Sequence, residues 1–419
     1  SIPGEAGIYH RIEDTLDCWF EAGAMPYAQQ GYPYHTNKKI EDFFPADFIT
    51  EGVDQTRGWF YTLNVLSTAL FDQPAFKNAI VFGIILAKDG KKMSKRLKNY
   101  TQPDDLFNQY GADALRLYLV SSNLVKGEEQ RFDNQGVQEV IKTILLPWLN
   151  AYKFFKTYAD ADQWKSDSHD QINSHDLDLW LVSKTQSLIK ELTHHLDQYD
   201  LSSLLPQLHQ FMDLLTNVYI RFNRQRFWTE DIDADKHSAY LTLGQTLSQL
   251  SQCLAPITPF MSDYTYGELS HYIKLSATSV HLDHYPTYDE QKIDLDLEEA
   301  VKNIYSVINL GRHLRTKADL KIKIPLQSLT IIAKDKRIHE HCQRFDSIIK
   351  RELNIKELLY TTDEASYVTV QTLPNSPVLG KRFGSQFGKI QRSIRELDAK
   401  AIEELEQQGK LELNGEIFE

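Results

Sequence analysis

Cysteine is scarce in this sequence, long apolar runs are missing and there is no excess of positive charge, and each absence removes a class of answer. The three cysteines, Cys18, Cys253 and Cys342, lie far apart and form no CxxC pair. A disulfide framework and a cysteine zinc site therefore lack their residues. No apolar stretch reaches the roughly 20 residues that a membrane-spanning helix needs. The first residues also lack the basic-then-apolar order of a secretory signal. These absences point to the cytoplasm. A net charge of −12 excludes a general nucleic-acid coat, but leaves room for local basic clusters on an acidic body. Neither GxGxxG nor GxxxxGK occurs, so the two glycine-rich nucleotide cradles that a sequence can announce are missing. His339, His341 and Cys342 are close together, but they fall in a charged, helical stretch and read as a surface helix rather than a metal site.

What is present is concentrated. The segment of residues 88–100 crowds Lys88, Lys91, Lys92, Lys95, Arg96 and Lys98 into a loop that directly follows an apolar run over residues 79–87. Gly90 allows a sharp turn, and Ser94 is a small hydroxyl that leaves room for a polyanion. A basic loop at the end of a buried strand can hold a triphosphate without a Walker loop. A second concentration is Glu51-Gly52-Val53-Asp54-Gln55-Thr56-Arg57-Gly58-Trp59-Phe60. Its carboxylates can accept from an ammonium group or ribose hydroxyls, Gly52 permits close backbone approach, and Gln55 offers both donor and acceptor. Trp19 and Trp59 could wall an apolar side chain, although a tryptophan alone is more often core.

Residues 92–96, Lys-Met-Ser-Lys-Arg, match the KMSKS-type signature of class I aminoacyl-tRNA synthetases. With the Asp17-Cys18-Trp19-Phe20 segment and the Glu51 to Phe60 motif ahead of it, in that order, the chain resembles the isoleucyl-tRNA synthetase family, most closely its eukaryotic-type branch. The resemblance implies ATP-dependent activation of isoleucine to the adenylate and transfer to tRNA(Ile). Substrates and partners would be isoleucine, ATP with Mg²⁺, and tRNA(Ile), and the family default is a monomer. Carried over residue by residue, Glu51, Gly52, Asp54 and Gln55 would hold the aminoacyl-adenylate and Trp19 and Trp59 would bound the isoleucine side chain. Lys92, Met93, Ser94, Lys95 and Arg96 would meet ATP, with Lys92 and Lys95 catalytic and Lys95 the main transition-state contact. Ala22 and Ala24 stand where serines are expected.

The family's His-x-Gly-His signature has no counterpart, since no histidine here has Gly two residues on and His three residues on. Its editing insertion is not visible either. The chain is therefore expected to be a C-terminal portion, inactive by itself. Two alternatives stay open: a tRNA-binding module without catalysis of its own, and another class I synthetase such as the valyl or methionyl enzyme.

Three domains are predicted. Residues 1–130 read as the α/β second half of a Rossmann-type catalytic domain, with a strand over residues 79–87 and a helix over 111–120. Residues 131–290 read as an all-α helical bundle that holds the anticodon region, with long helices over 177–196, 201–228 and 241–275 and a kink at Pro147. Residues 295–419 read as a small α+β domain, with a helix over 297–317, strands over 329–333, 357–361 and 367–372, and helices over 337–350 and 387–408. Within the bundle, Arg221, Arg224, Arg226 and Trp228 are the candidates for RNA contact, through phosphates and stacking on unpaired bases. The competing reading, a helix whose aromatics are core and whose arginines bridge acidic groups, stands beside it. Lys381 and Arg382, near glycines 380, 384 and 388, mark either a tRNA-facing loop or an ordinary turn.

Overall fold

The computed structural model describes residues 1–419 except 1–5, 9, 11, 12, 16, 36, 95, 168, 169, 365, 368–371, 398–400, 403, 404, 406–408, 414, 415 and 419. It divides into two compact units, Ser1–Leu295 and Asp296–Glu419.

The first unit begins with two short helices, α1 (Cys18–Gly23) and α2 (Met25–Ala28). A parallel β-α-β element follows: β1 (Ala46–Gly52), α3 (Trp59–Phe71) and β2 (Phe76–Phe82). Register runs from Ala46 opposite Phe76 to Gly52 opposite Phe82, so both strands end at the same edge. Ala46 and Ile49 on β1 bury with Phe60, Leu63 and Ala75, which is why the apolar periodicity of α3 faces the sheet. Gly23 lets α1 lie against α3, since a β-carbon there would meet Thr62 and Leu66 at 2.9 Å.

The strand predicted over residues 79–87 is interrupted. It breaks at Gly83, whose N–H donates to the Leu124 carbonyl, and a β-carbon on Gly83 would sit 1.8 Å from the Glu128 carbonyl. The backbone crossing there ends β2, and the chain resumes as β3 (Ile85–Leu86), parallel to β4 (Gln130–Arg131). Between them lie α4 (Pro103–Tyr110) and α5 (Ala112–Val120), the latter matching the expected helix.

The bundle opens with one rod: α6 (Asn134–Val140), a π-helical stretch Ile141–Leu145, and α7 (Leu146–Ala161). Pro147 has no N–H to return to the preceding turn, and the wider π turn just before it absorbs that loss without ending the helix. Next come α8 (Asp176–Asp197), α9 (Leu204–Leu214), a second π stretch Leu215–Ile220, and α10 (Arg221–Trp228). The helix expected over residues 241–275 is two, α11 (Ala234–Leu254) and α12 (Pro259–Leu269). Pro256 and Pro259 remove two amides from the break, and Arg116 of α5 fills the gap by donating to the Ile257 and Pro256 carbonyls at 2.9 and 3.0 Å. Asp113, also on α5, accepts from Met261 N at 2.7 Å and so caps α12 from a distance. Trp148, Trp180, Tyr219, Phe227 and Tyr240 are fully buried in this bundle.

The second unit holds α13 (Leu295–Lys317), β5 (Leu326–Ile332), α14 (Lys336–Arg344), α15 (Asp346–Leu353) and β6 (Ile355–Thr361), with β5 and β6 parallel. One predicted helix, 337–350, is thus two, turning at buried Phe345. His341 and Cys342, expected on a surface helix, are buried on the inner face of α14, His341 beside the Asn303 carboxamide at 3.0 Å. Arg315 is buried and donates to the carbonyls of Leu353, Lys321, Ile324 and Asn354, tying α13 to the loops that flank β5 and β6. Helices α16 (Ser376–Phe383) and α17 (Phe387–Arg395) and an antiparallel pair, β7 (Leu411–Leu413) with β8 (Glu416–Phe418), complete the unit. The strand expected over 367–372 lies mostly outside the described residues, as does the later part of the helix expected over 387–408. Among the described residues, no helix is long and apolar enough to cross a membrane and no group of three or more His, Cys, Asp or Glu could hold a metal ion.

Candidate functional site

The two sequence concentrations each follow the carboxyl end of a parallel strand, the first β1 of the β1–β2 sheet and the second β3 of the separate β3–β4 pair. Glu51 and Gly52 close β1, and the basic loop follows the end of β2 by way of β3, beyond the carboxyl ends of parallel strands where open α/β sheets take ligands.

The first motif is a chain of local bonds. The Glu51 carboxylate accepts from Gly52 N at 3.1 Å, and Gln55 Nε2 donates to Asp54 Oδ2 at 3.2 Å. Gln55 Oε1 accepts from Trp59 N at 2.9 Å, satisfying one orphan amide of the first turn of α3. Glycine on both flanks leaves these side chains where they are. A β-carbon on Gly52 would lie 2.5 Å from Asp54 Oδ1, and one on Gly58 2.7 Å from Gln55 Oε1. Trp19 and Trp59 lie on α1 and α3, which pack together; Trp19 is 44% exposed and Trp59 is half-buried. The Trp59 indole N–H donates to the Ala22 carbonyl at 2.8 Å. This bond needs only backbone at position 22, so alanine in place of serine leaves it intact. An open apolar cavity of about 770 Å³ runs along α3, lined by Tyr61, Val65 and Phe76 among others; it takes in Thr56 and Phe60 of the motif, but not Glu51, Gly52, Asp54, Gln55, Trp19 or Trp59.

The basic loop has a built backbone. Gly90 takes φ +79° in a turn where Gly90 N donates to the Ala87 carbonyl and Ala87 N to Lys91 O, and Lys92 bridges back to Leu86. Lys92 and Arg96 are exposed, Met93 and Ser94 are half-buried, and Lys95 lies outside the described residues. The Asn99 carboxamide reaches back to residues 92 and 94, and Lys98, at φ +47°, donates its N–H to the Ser94 carbonyl at 3.0 Å. At the root, Lys88 Nζ meets Asp133 Oδ2 at 2.9 Å. Hydrogen bonding from Lys88 holds the Asp133 carboxyl below the usual carboxylate range. Asp133 also accepts from Gln135 N at 3.0 Å, capping α6.

On α10 the candidates separate. Arg221 and Arg224 are exposed, and Trp228 is 57% exposed with its indole N–H donating to the Tyr158 hydroxyl at 2.7 Å. Arg226 corrects the RNA-contact reading. Its guanidinium donates twice to Asp178, at 2.7 and 2.8 Å, and twice to the Asp235 carboxylate, at 2.8 Å each. Asp178 is fully buried and also accepts from Tyr219 Oη at 2.8 Å and Ser238 Oγ at 2.7 Å. Burial works against the Arg226 charge, but these carboxylates raise its pKa above the ordinary arginine value. A guanidinium held this way bridges acidic groups inside the bundle, as the competing reading has the arginines do, whereas Trp228, core in that reading, is exposed.

The family model described as "tRNA synthetases class I (I, L, M and V)" matches residues 2–131, and one described as "Anticodon-binding domain of tRNA ligase" matches residues 178–331. An isoleucine–tRNA ligase of Bdellovibrio bacteriovorus is 44% identical over 99% of this chain and 40% of its own length. One from Treponema denticola is 41% identical over 97% of this chain and 38% of its own. The chain belongs to the class I tRNA synthetases. It spans about 40% of the length of these curated relatives. A leucyl synthetase from Agrobacterium radiobacter K84, in a ternary complex with tRNA and LeuAMS, shares the fold with TM-score 0.53 at 18% identity, over 70% of this chain and 35% of that one.

Within this class I portion, three structural residues escaped the reading of motifs. Asp133 carried a weak signal, as an Asp just before an apolar-periodic helix. Asp178 carried none, because an acidic residue in the first turn of α8 reads as solvent-facing until Arg226 is placed beside it. Asn99 followed the basic cluster, but sequence does not say that its amide turns back on the loop.

Proposed function

We propose that this chain carries the KMSKS-loop half of the catalytic domain and the anticodon-binding bundle of an isoleucine–tRNA ligase, with residues 1–130, 131–290 and 295–419 as the functional divisions. The observation that supports the reading is that the Glu51 to Phe60 motif and the basic loop each follow the carboxyl end of a parallel strand, the motif β1 and the loop β3. Glu51, Gly52, Asp54 and Gln55 hold the aminoacyl-adenylate, and Trp19 and Trp59 bound the isoleucine side chain. Lys92 and Lys95 stabilise charge on the ATP phosphates as the isoleucine carboxylate attacks the α-phosphorus and pyrophosphate departs. Little covalent work falls to side chains; positioning and electrostatic stabilisation carry the step. Lys92, exposed on a fixed backbone, suits phosphate, and Mg²⁺ would arrive on the ATP and neutralise its oxygens. Arg221, Arg224 and Trp228 form the tRNA(Ile) contact on α10. The protein works in the cytoplasm as a monomer.

Isoleucine-dependent pyrophosphate exchange tests this reading. The chain alone is expected to be inactive, and a full-length enzyme carrying it active with isoleucine, slower with valine and inert with methionine. Full activity with methionine would overturn the assignment. Binding of this chain to tRNA(Ile) at fixed salt, beside a tRNA with an altered anticodon, separates a competent reader from a fragment that needs the rest of the enzyme.

A further inference from the structure

Asn99 lies just beyond the basic cluster, and its side chain is spent on the loop's own backbone. Its Oδ1 accepts from Ser94 N at 2.9 Å, and its Nδ2 donates to the Lys92 carbonyl at 3.1 Å. Both partners are main-chain atoms, so the bracket holds whatever side chains occupy positions 92–94. Lys98 N closes on the Ser94 carbonyl from the same side, and the Lys92 bridge to Leu86 fixes the other. The stretch bearing Lys92 is therefore tied at two places while Lys92 itself remains exposed. A carboxamide offers its donor and its acceptor on two separate atoms, as this bracket uses them; aspartate keeps the acceptors alone and alanine neither.

We propose that Asn99 is a positioning residue for phosphate capture, clasping residues 92–94 so that the Lys92 backbone is already in place when a polyphosphate arrives. The inference rests on the reading of this loop as the ATP phosphate site. A lysine on an unbraced loop must order that loop on binding, and a braced one spends less of its interaction on ordering. If the braced arrangement matches the transition state more closely than the ground state, losing the brace lowers kcat more than it raises KM.

The test uses Asn99→Ala, Asn99→Asp and Lys92→Ala. In this chain, amide hydrogen exchange at Ser94 is expected to quicken several-fold in Asn99→Ala and to stay slow in Asn99→Asp, with the melting temperature unchanged in both. In the full-length enzyme, pyrophosphate exchange by Asn99→Ala should lose about tenfold in kcat with KM for isoleucine unchanged. Asn99→Asp should fall between that variant and the unsubstituted enzyme. Lys92→Ala is measured beside them. If Lys92→Ala is slow and Asn99→Ala stays within about twofold of normal, the Asn99 proposal is overturned and the phosphate reading survives. A normal Lys92→Ala overturns both. Loss of activity in step with a lowered melting temperature, with Asn99→Asp no better than alanine, makes Asn99 a fold residue only and overturns the positioning role.

Discussion

Arg226→Ala is the substitution that best separates the two readings of α10. The guanidinium makes four bonds to the Asp178 and Asp235 carboxylates, one to the Asn223 side chain at 3.1 Å and one to the Asp235 carbonyl at 2.8 Å. Removing it leaves the Asp178 side chain fully buried, with Tyr219 and Ser238 as its remaining side-chain donors among the described residues. Breaking one side of a buried ion pair costs about 3–5 kcal/mol. The two remaining donors put this case near the lower end, about 3 kcal/mol, more than a hundredfold in the folded population. Urea unfolding followed by tryptophan fluorescence is the assay, because all six tryptophans lie in the first unit and the signal does not mix the two. Affinity for tRNA per folded molecule should not change. A loss below about 1 kcal/mol, or a fall in tRNA affinity at intact stability, would refute the reasoning.

Arg221→Ala with Arg224→Ala has the opposite signature: little change in the urea midpoint, weaker tRNA binding, and a salt dependence shallower by roughly one to two in log–log slope. Unaltered binding would remove α10 from the interface. Asp72 ends α3 in the left-handed region at φ +51°, so Asp72→Gly is expected to raise the stability of the first unit by about 0.5–1 kcal/mol, read from the same urea curves. Burial first, and the Arg226 guanidinium second, push the His175 imidazole below its ordinary range, and its Nδ1 accepts from Leu177 N at the start of α8. The unfolded chain therefore binds a proton that the folded one resists. This contribution is complete above a pH of about 6.5 and declines as the pH falls from there toward the depressed folded value. His175→Asn, which keeps a capping side chain, should flatten that decline, and an equally steep curve would count against it. Gly83→Ala should destabilise the first unit, because the added methyl meets the Glu128 carbonyl rather than a movable side chain.

Local periodicity carried much of the architecture. Helices α5, α8 and α13 fall within a residue or two of where apolar spacing puts them. Tertiary contact decided the rest. Nothing before Gly83 announces that residues 123–128 cross there. The break between α11 and α12 follows from Pro256 and Pro259, which are local, but the Arg116 side chain that satisfies its carbonyls comes from about 140 residues away. The candidate site shows the same division. Gly52, Gln55 and the basic loop were legible because their chemistry is local. Arg226 was not, because a basic residue on an aromatic-rich helix looks alike whether it faces phosphate or a buried carboxylate.

The short parallel pairing of β3 with β4, and the Lys88–Asp133 bond beside it, bear on how this protein can be cut and recombined. A domain boundary drawn from sequence after residue 130 passes between Gln130 and Arg131, through β4 itself. A chimera joined there would give the basic loop a foreign strand partner and a foreign Asp133, and its failure would say nothing about the bundle that was swapped in. Residues 130–134 have to travel with the loop they anchor, and because the rod that follows them is part of the bundle core, loop and bundle are exchanged together or not at all.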